Sequence, residues 1–198
     1  MSPPELDAAI DGLDDALRAA GLAGLEAPTD PSAVDEVAEA AAPYALPDEL
    51  RRFWARVDPG RLPINLFPRL LEPAGALELQ RVDREFHPPL GPPPLLLVIG
   101  YDSHVHRSIE LASEWDDGGT ILRWTWTDDD FRIAYRTLAD LVEVVAELVA
   151  EGRLERYGDH PDVYVTEEAE EAMQLERLEA SPPHPLYGDA REISGDLL

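Results

Sequence analysis

The hydrophobic pattern of this chain changes period once and then changes back, and that order constrains the fold more than any single motif. Over residues 2–57 apolar side chains recur every three or four positions. Ser2, Pro3 and Glu5 form a helix start of the capping-box kind, Leu6, Ile10, Leu13 and Leu17 make one stripe, and Gly21 marks the stop. Ser32 with Asp35 opens a second, alanine-rich helix that ends before Pro43. Pro47 opens a third, with Leu50, Phe53, Trp54 and Val57 on one face and Pro59-Gly60 at its end. Proline-rich residues 62–94 read as loop apart from one helix near Ala74–Val82.

The period then shortens. Leu95–Tyr101 reads as an apolar strand, Val105–Leu111 as an alternating one, and Thr120–Thr127 as a third. Asp116-Asp117-Gly118-Gly119 and Asp128-Asp129-Asp130 supply the turns, and Phe131–Tyr135 is a short strand or the entry to a helix. Thr137 caps a helix carrying Leu138, Leu141, Val142, Val145, Leu148 and Val149. An acidic helix from Thr166 to about Ala180 follows, and composition reads the proline-rich end beyond it as disordered. No internal repeat is visible. Helices grouped before an antiparallel meander predict an α+β fold, with helices packed on a mainly antiparallel sheet.

Charge divides the chain. The whole carries 41 acids against 16 bases, all of them arginine, for a net −25. Residues 1–42 hold ten acids and one base, 43–150 eighteen and eleven, and 151–198 thirteen and four; the middle holds every Trp. This predicts an acidic helical extension over 1–32, a core domain over 33–150 and an acidic helical tail over 151–198. Such a surface repels nucleic-acid phosphate and anionic lipid and attracts basic proteins. No stretch of about eighteen apolar residues is present to span a membrane. Cysteine is absent, which rules out disulfides, thiolate metal ligands and a thiol nucleophile. With no signal-peptide pattern at Met1–Glu5, the expected compartment is the cytoplasm.

Candidate chemistry is sparse. His104 and His106 share one face of a strand and with His87 offer a set for zinc, against which stands a plain solvated strand face. The paired aspartates lack the alternate spacing of a calcium loop and suit turns equally well. Trp54 reads as core. Trp124 and Trp126 read as core or as an aromatic ledge, and Trp115 as exposed. The chain contains no Gly-x-Ser-x-Gly, no His-Glu-x-x-His and no phosphate-cradling glycine loop. The expectation is therefore a non-catalytic protein with no cofactor and no metal. Its partner-facing candidates are the acids and the tryptophan around the hairpin: Asp102, Glu110, Glu114, Trp115, Asp116, Asp117, Asp128, Asp129 and Asp130.

One resemblance sharpens this. Ala45-Leu46-Pro47-Asp48-Glu49-Leu50-Arg51-Arg52-Phe53-Trp54, then Leu97-Val98-Ile99-Gly100-Tyr101-Asp102, then Ile109-Glu110-Leu111 with Gly118-Gly119 and Ile121 to Trp126, and finally Ile133-Ala134 leading into Leu138-Ala139-Asp140-Leu141, resemble in order and spacing the SMI1/KNR4 (SUKH) superfamily. The resemblance covers roughly residues 33–150. It implies an α+β domain without catalysis. Many bacterial members are implied to be immunity proteins that neutralise a toxin domain encoded nearby, often a nuclease, and fungal relatives to act as intracellular hubs in cell-wall and stress signalling. The sequence thus predicts a cytoplasmic binder of a basic toxin domain, with a regulatory scaffold of several partners as the alternative.

Overall fold

The computed structural model describes residues 3–28, 30, 32–86, 95–102, 105–113, 117–125, 130–156, 162–180 and 192–194. In chain order the elements are α1 (Pro3–Ala19), α2 (Ala33–Ala40), α3 (Asp48–Arg56), a 3₁₀ turn (Pro59–Arg61), β1 (Arg69–Leu70), α4 (Pro73–Phe86), β2 (Leu96–Asp102), β3 (Val105–Glu110), β4 (Ile121–Thr125), β5 (Asp130–Tyr135), α5 (Leu138–Ala150), β6 (Leu154–Glu155), β7 (Tyr164–Val165), α6 (Glu167–Ala180) and β8 (Glu192–Ser194). The fold is α+β, as the order of periodicities predicts. The main sheet runs β1-β2-β3-β4-β5-β8 with every neighbour antiparallel, and β6 and β7 form a separate two-stranded ribbon. Among the described residues no helix is long and apolar enough to cross a membrane.

Helix ends follow local chemistry. Gly21 and Gly152 both have positive φ, and each closes its helix with paired turns: Leu22 N–H to Leu17 O with Gly21 N–H to Arg18 O, and Arg153 N–H to Leu148 O with Gly152 N–H to Val149 O. Thr137 caps α5, its Oγ1 accepting from Asp140 N–H at 3.1 Å. Ser32 does not cap α2. Its own backbone is helical, and its hydroxyl instead donates to Asp30 at 2.6 Å.

The sheet is covered on both faces. Leu97, Ile99, Ile109, Ile121 and Tyr135 join the apolar stripes of α1, α3 and α5 in one core. Leu96, Val98, Leu122, Trp124, Phe131 and Ile133 form a second core against Leu71, Leu79 of α4 and Leu178 of α6. This explains why β3 is buried along its whole length instead of alternating between core and solvent as its sequence suggests. The boundaries at 32 and 150 between extension, core domain and tail do not divide the packing. Leu6, Ile10, Leu13 and Leu17 of α1 and Val163 and Val165 of the tail belong to the same cluster as Leu50 and Leu141.

The four shortest strands are additions to the sequence reading. Two- and three-residue strands contain too few positions for a period to show. β8 pairs with β5 close to the C-terminus, while the rest of the proline-rich end (181–191 and 195–198) lies outside the described residues. α4 is longer than Ala74–Val82, and it carries a structural device. Gln80 lies along the edge of β2, its Nε2 donating to Leu96 O at 2.8 Å and its Oε1 accepting from Val98 N–H at 2.9 Å. The side-chain amide thereby takes the place of a neighbouring strand where the two-residue β1 falls short.

Candidate partner-binding surfaces

The meander separates the acids that the sequence groups together. Asp102 ends β2, half-exposed, and Asp130 begins β5 at the same end of the sheet. Glu110 ends β3 at the opposite end, and exposed Asp117 lies in the connection that follows. At about 3.4 Å per residue the length of β3 puts roughly 17 Å between these ends, so they do not form one surface. Glu110 must also be withdrawn as a partner-facing residue. It is only 2% exposed, because its side of β3 faces the second layer of the core and not solvent. Glu114, Trp115, Asp116, Asp128 and Asp129 lie outside the described residues, as do His87, His104 and Trp126.

His106 is no solvated strand residue either. It is fully buried in a row of rings that crosses the sheet, stacked on Trp124 at 4.3 Å and edge-on to Tyr101 at 5.3 Å. Trp124 continues the row to Phe131 and donates its Nε1 to Ser108 Oγ at 3.0 Å. Trp124 and Trp54 are both core residues. Among the described residues no group of three His, Asp or Glu side chains could hold a metal ion.

The opposite sheet face carries a buried ionic cluster that sequence reasoning missed. Arg107 sits two residues from Ile109 and so shares its face. Its Nη2 donates to Glu170 Oε1 of α6 at 2.6 Å and to Phe67 O at 3.2 Å. Tyr135 donates its hydroxyl to the same Glu170 oxygen at 2.7 Å. The two charged side chains are 3% and 5% exposed. Burial, followed by the Glu170 charge, pushes the Tyr135 phenol well above its ordinary value, so it remains a donor. One turn earlier on α6, Glu167 pairs with Arg123 of β4. The acidic tail helix is thus fastened to the sheet by two arginines that stand opposite each other on β3 and β4, with Arg132 of β5 next in the row.

Elsewhere arginines are taken up in the same way. Arg18 pairs with Asp14 at 2.8 Å, Arg56 with Asp11 at 2.5 Å and Asp7 at 3.2 Å, Arg61 with Glu26 at 2.8 Å, and Arg177 with Glu143 at 2.6 Å and with Glu147. Exposed pairs of this kind contribute little to stability. Their effect is on the outer field: positive charge is cancelled locally, and the surplus acids set the potential. α2 exposes Asp35, Glu36 and Glu39 with no base of its own.

One acidic region is also concave. Between the C-terminal end of α5, β6 and α6 lies a groove of about 730 Å³. Its apolar lining comes from Leu148, Leu154, Ala169, Ala172 and Met173. Its charged lining comes from Glu151, Glu155, Glu168 and Glu176, opposed by Arg153. A smaller cleft of about 120 Å³ lies between the end of α2 with the segment that follows it (Ala41 to Tyr44), α4 and β2, and includes Gln80.

No protein-family model matches this chain, and no curated protein matches it in sequence.

Proposed function

We propose that this chain is a non-catalytic, cytoplasmic binding domain of the SMI1/KNR4 kind that takes up a basic protein, a nuclease-type toxin domain being the partner that best joins the resemblance over 33–150 to the charge. The observation that carries the reading is the fate of the arginines. Eight of those described, Arg18, Arg52, Arg56, Arg61, Arg107, Arg123, Arg153 and Arg177, lie within 4.0 Å of a carboxylate, so the outer surface of a chain with net charge −25 presents anions. A nuclease must offer phosphate a basic face, and an acidic protein seated on that face blocks substrate without any chemistry of its own. Charge complementarity raises association rates from about 10⁵–10⁶ M⁻¹s⁻¹ towards 10⁸–10⁹ at low salt.

The test begins with the genes flanking this one. A neighbouring secreted protein with a variable, basic C-terminal domain supplies the partner, and its association rate is followed by stopped flow from about 50 to 500 mM salt. A fall of about tenfold or more is expected. A flat response would remove electrostatic steering, and housekeeping neighbours would remove the toxin. The alternative, a regulatory scaffold, cannot be separated from this by deleting 153–198. α6 lies within that stretch and is fastened to the sheet through Glu167 and Glu170, so truncation would damage the fold under either reading.

A further inference from the structure

We propose that the groove between α5, β6 and α6 is where the basic partner inserts a segment that is both cationic and apolar; this inference rests on the binding reading above and names the surface. Two independent properties converge there. The first is concavity: about 730 Å³ lies in the range of roughly 300–1,000 Å³ that ligand sites occupy. The second is charge. Glu151, Glu155, Glu168 and Glu176 line the groove against a lone arginine, Arg153, whose Nε is itself 3.7 Å from Glu151. An acidic peptide or a nucleic acid is repelled by all of this.

The apolar lining makes the choice narrower. A hydrated metal ion gains nothing from the partly exposed Leu154 and Met173, and a neutral lipid gains nothing from the carboxylates. Arginine and lysine satisfy both, since their aliphatic stems cover apolar surface while their heads reach the rim. A segment with such residues on one face and leucine-like ones on the other matches both parts of the lining. The exposed acids of α2 have comparable charge and belong to no such groove, which makes them the natural control.

The experiment uses the full chain and a short labelled helical peptide with arginine on one face and leucine on the other, followed by fluorescence anisotropy at about 50 mM salt. Saturable binding is expected, weakened when serine replaces leucine. The double variant E168R/E176R should lose about tenfold or more in affinity, while E36R/E39R on α2 should lose about twofold or less. Should circular dichroism show the arginine variant misfolded, E168Q/E176Q replaces it, with a smaller loss in the same direction expected. Equal losses from the groove and α2 variants, or a loss confined to α2, would overturn the groove while leaving a basic partner in place. No saturable binding by any form would overturn both.

Discussion

Glu170 is buried against two donors on different strands, and its removal would strand Arg107 inside the molecule. Among the described residues, Arg107 Nε and Nη1 already have no hydrogen-bond partner, so little is at hand to replace the lost carboxylate. Glu170→Ala should therefore cost about 3–5 kcal/mol, read by urea denaturation, whereas the double change Arg107→Met with Glu170→Leu should recover most of that loss. Recovery would show that the pair specifies where α6 docks more than it stabilises the fold. Glu49 poses the reverse case. Burial holds its carboxyl above the ordinary value of 4.5 although Leu138 N–H donates to it at 3.0 Å. A raised folded pKa means that ionisation opposes folding, so stability grows as pH falls through the folded value and levels off below the unfolded one. Glu49→Gln keeps an acceptor for Leu138 and removes the charge. Its Tm at pH 7 should equal or exceed that of the parent, with the difference closing as pH drops below about 4.5.

At the scale of elements, the strongest local signals were also the most faithful. Gly152 adopts φ 72° at the end of α5, and a Cβ there would meet nothing within 4 Å. Gly152→Ala should thus cost only the backbone term, about 1–2 kcal/mol, measured as a shift in Tm. Gly21 and Thr137, unlike Gly152, are legible in the sequence as a helix stop and a cap, because at each one residue imposes one geometry. The failures have physical causes too. Ser32 looks like a cap, but Asp30 competes for its hydroxyl. Val105–Glu110 looks half-solvated because polar residues alternate with apolar ones. Yet the sheet has a layer on each side, and His106, Ser108 and Glu110 turn into the second layer. Nothing in the sequence separates Glu170 from Glu168 or Glu171, since only the tertiary contact of α6 with β3 makes it special. The candidate site was less legible than the fold for this reason. It depends on which of many acids face solvent and which share a groove, and residues close in sequence around the hairpins lie at opposite ends of the sheet.

For the molecule as a whole, the acidic ends are structural as well as electrostatic, since α1 contributes to the main core and α6 clamps the sheet. Truncation is therefore a blunt instrument here, and charge reversals on exposed positions are the informative ones. The amide of Gln80 has a further consequence at this scale. Beyond the two residues of β1, the backbone of β2 would present open donors and acceptors, a template on which a strand from another copy could add. Gln80 occupies Leu96 O and Val98 N–H before any neighbour can. Gln80→Leu should accordingly do more than lower the melting temperature: under dilute denaturant, light scattering should rise faster than in the parent at equal protein concentration. One glutamine is then a guard against self-assembly, keeping apart molecules that a net charge of −25 repels only while salt is low.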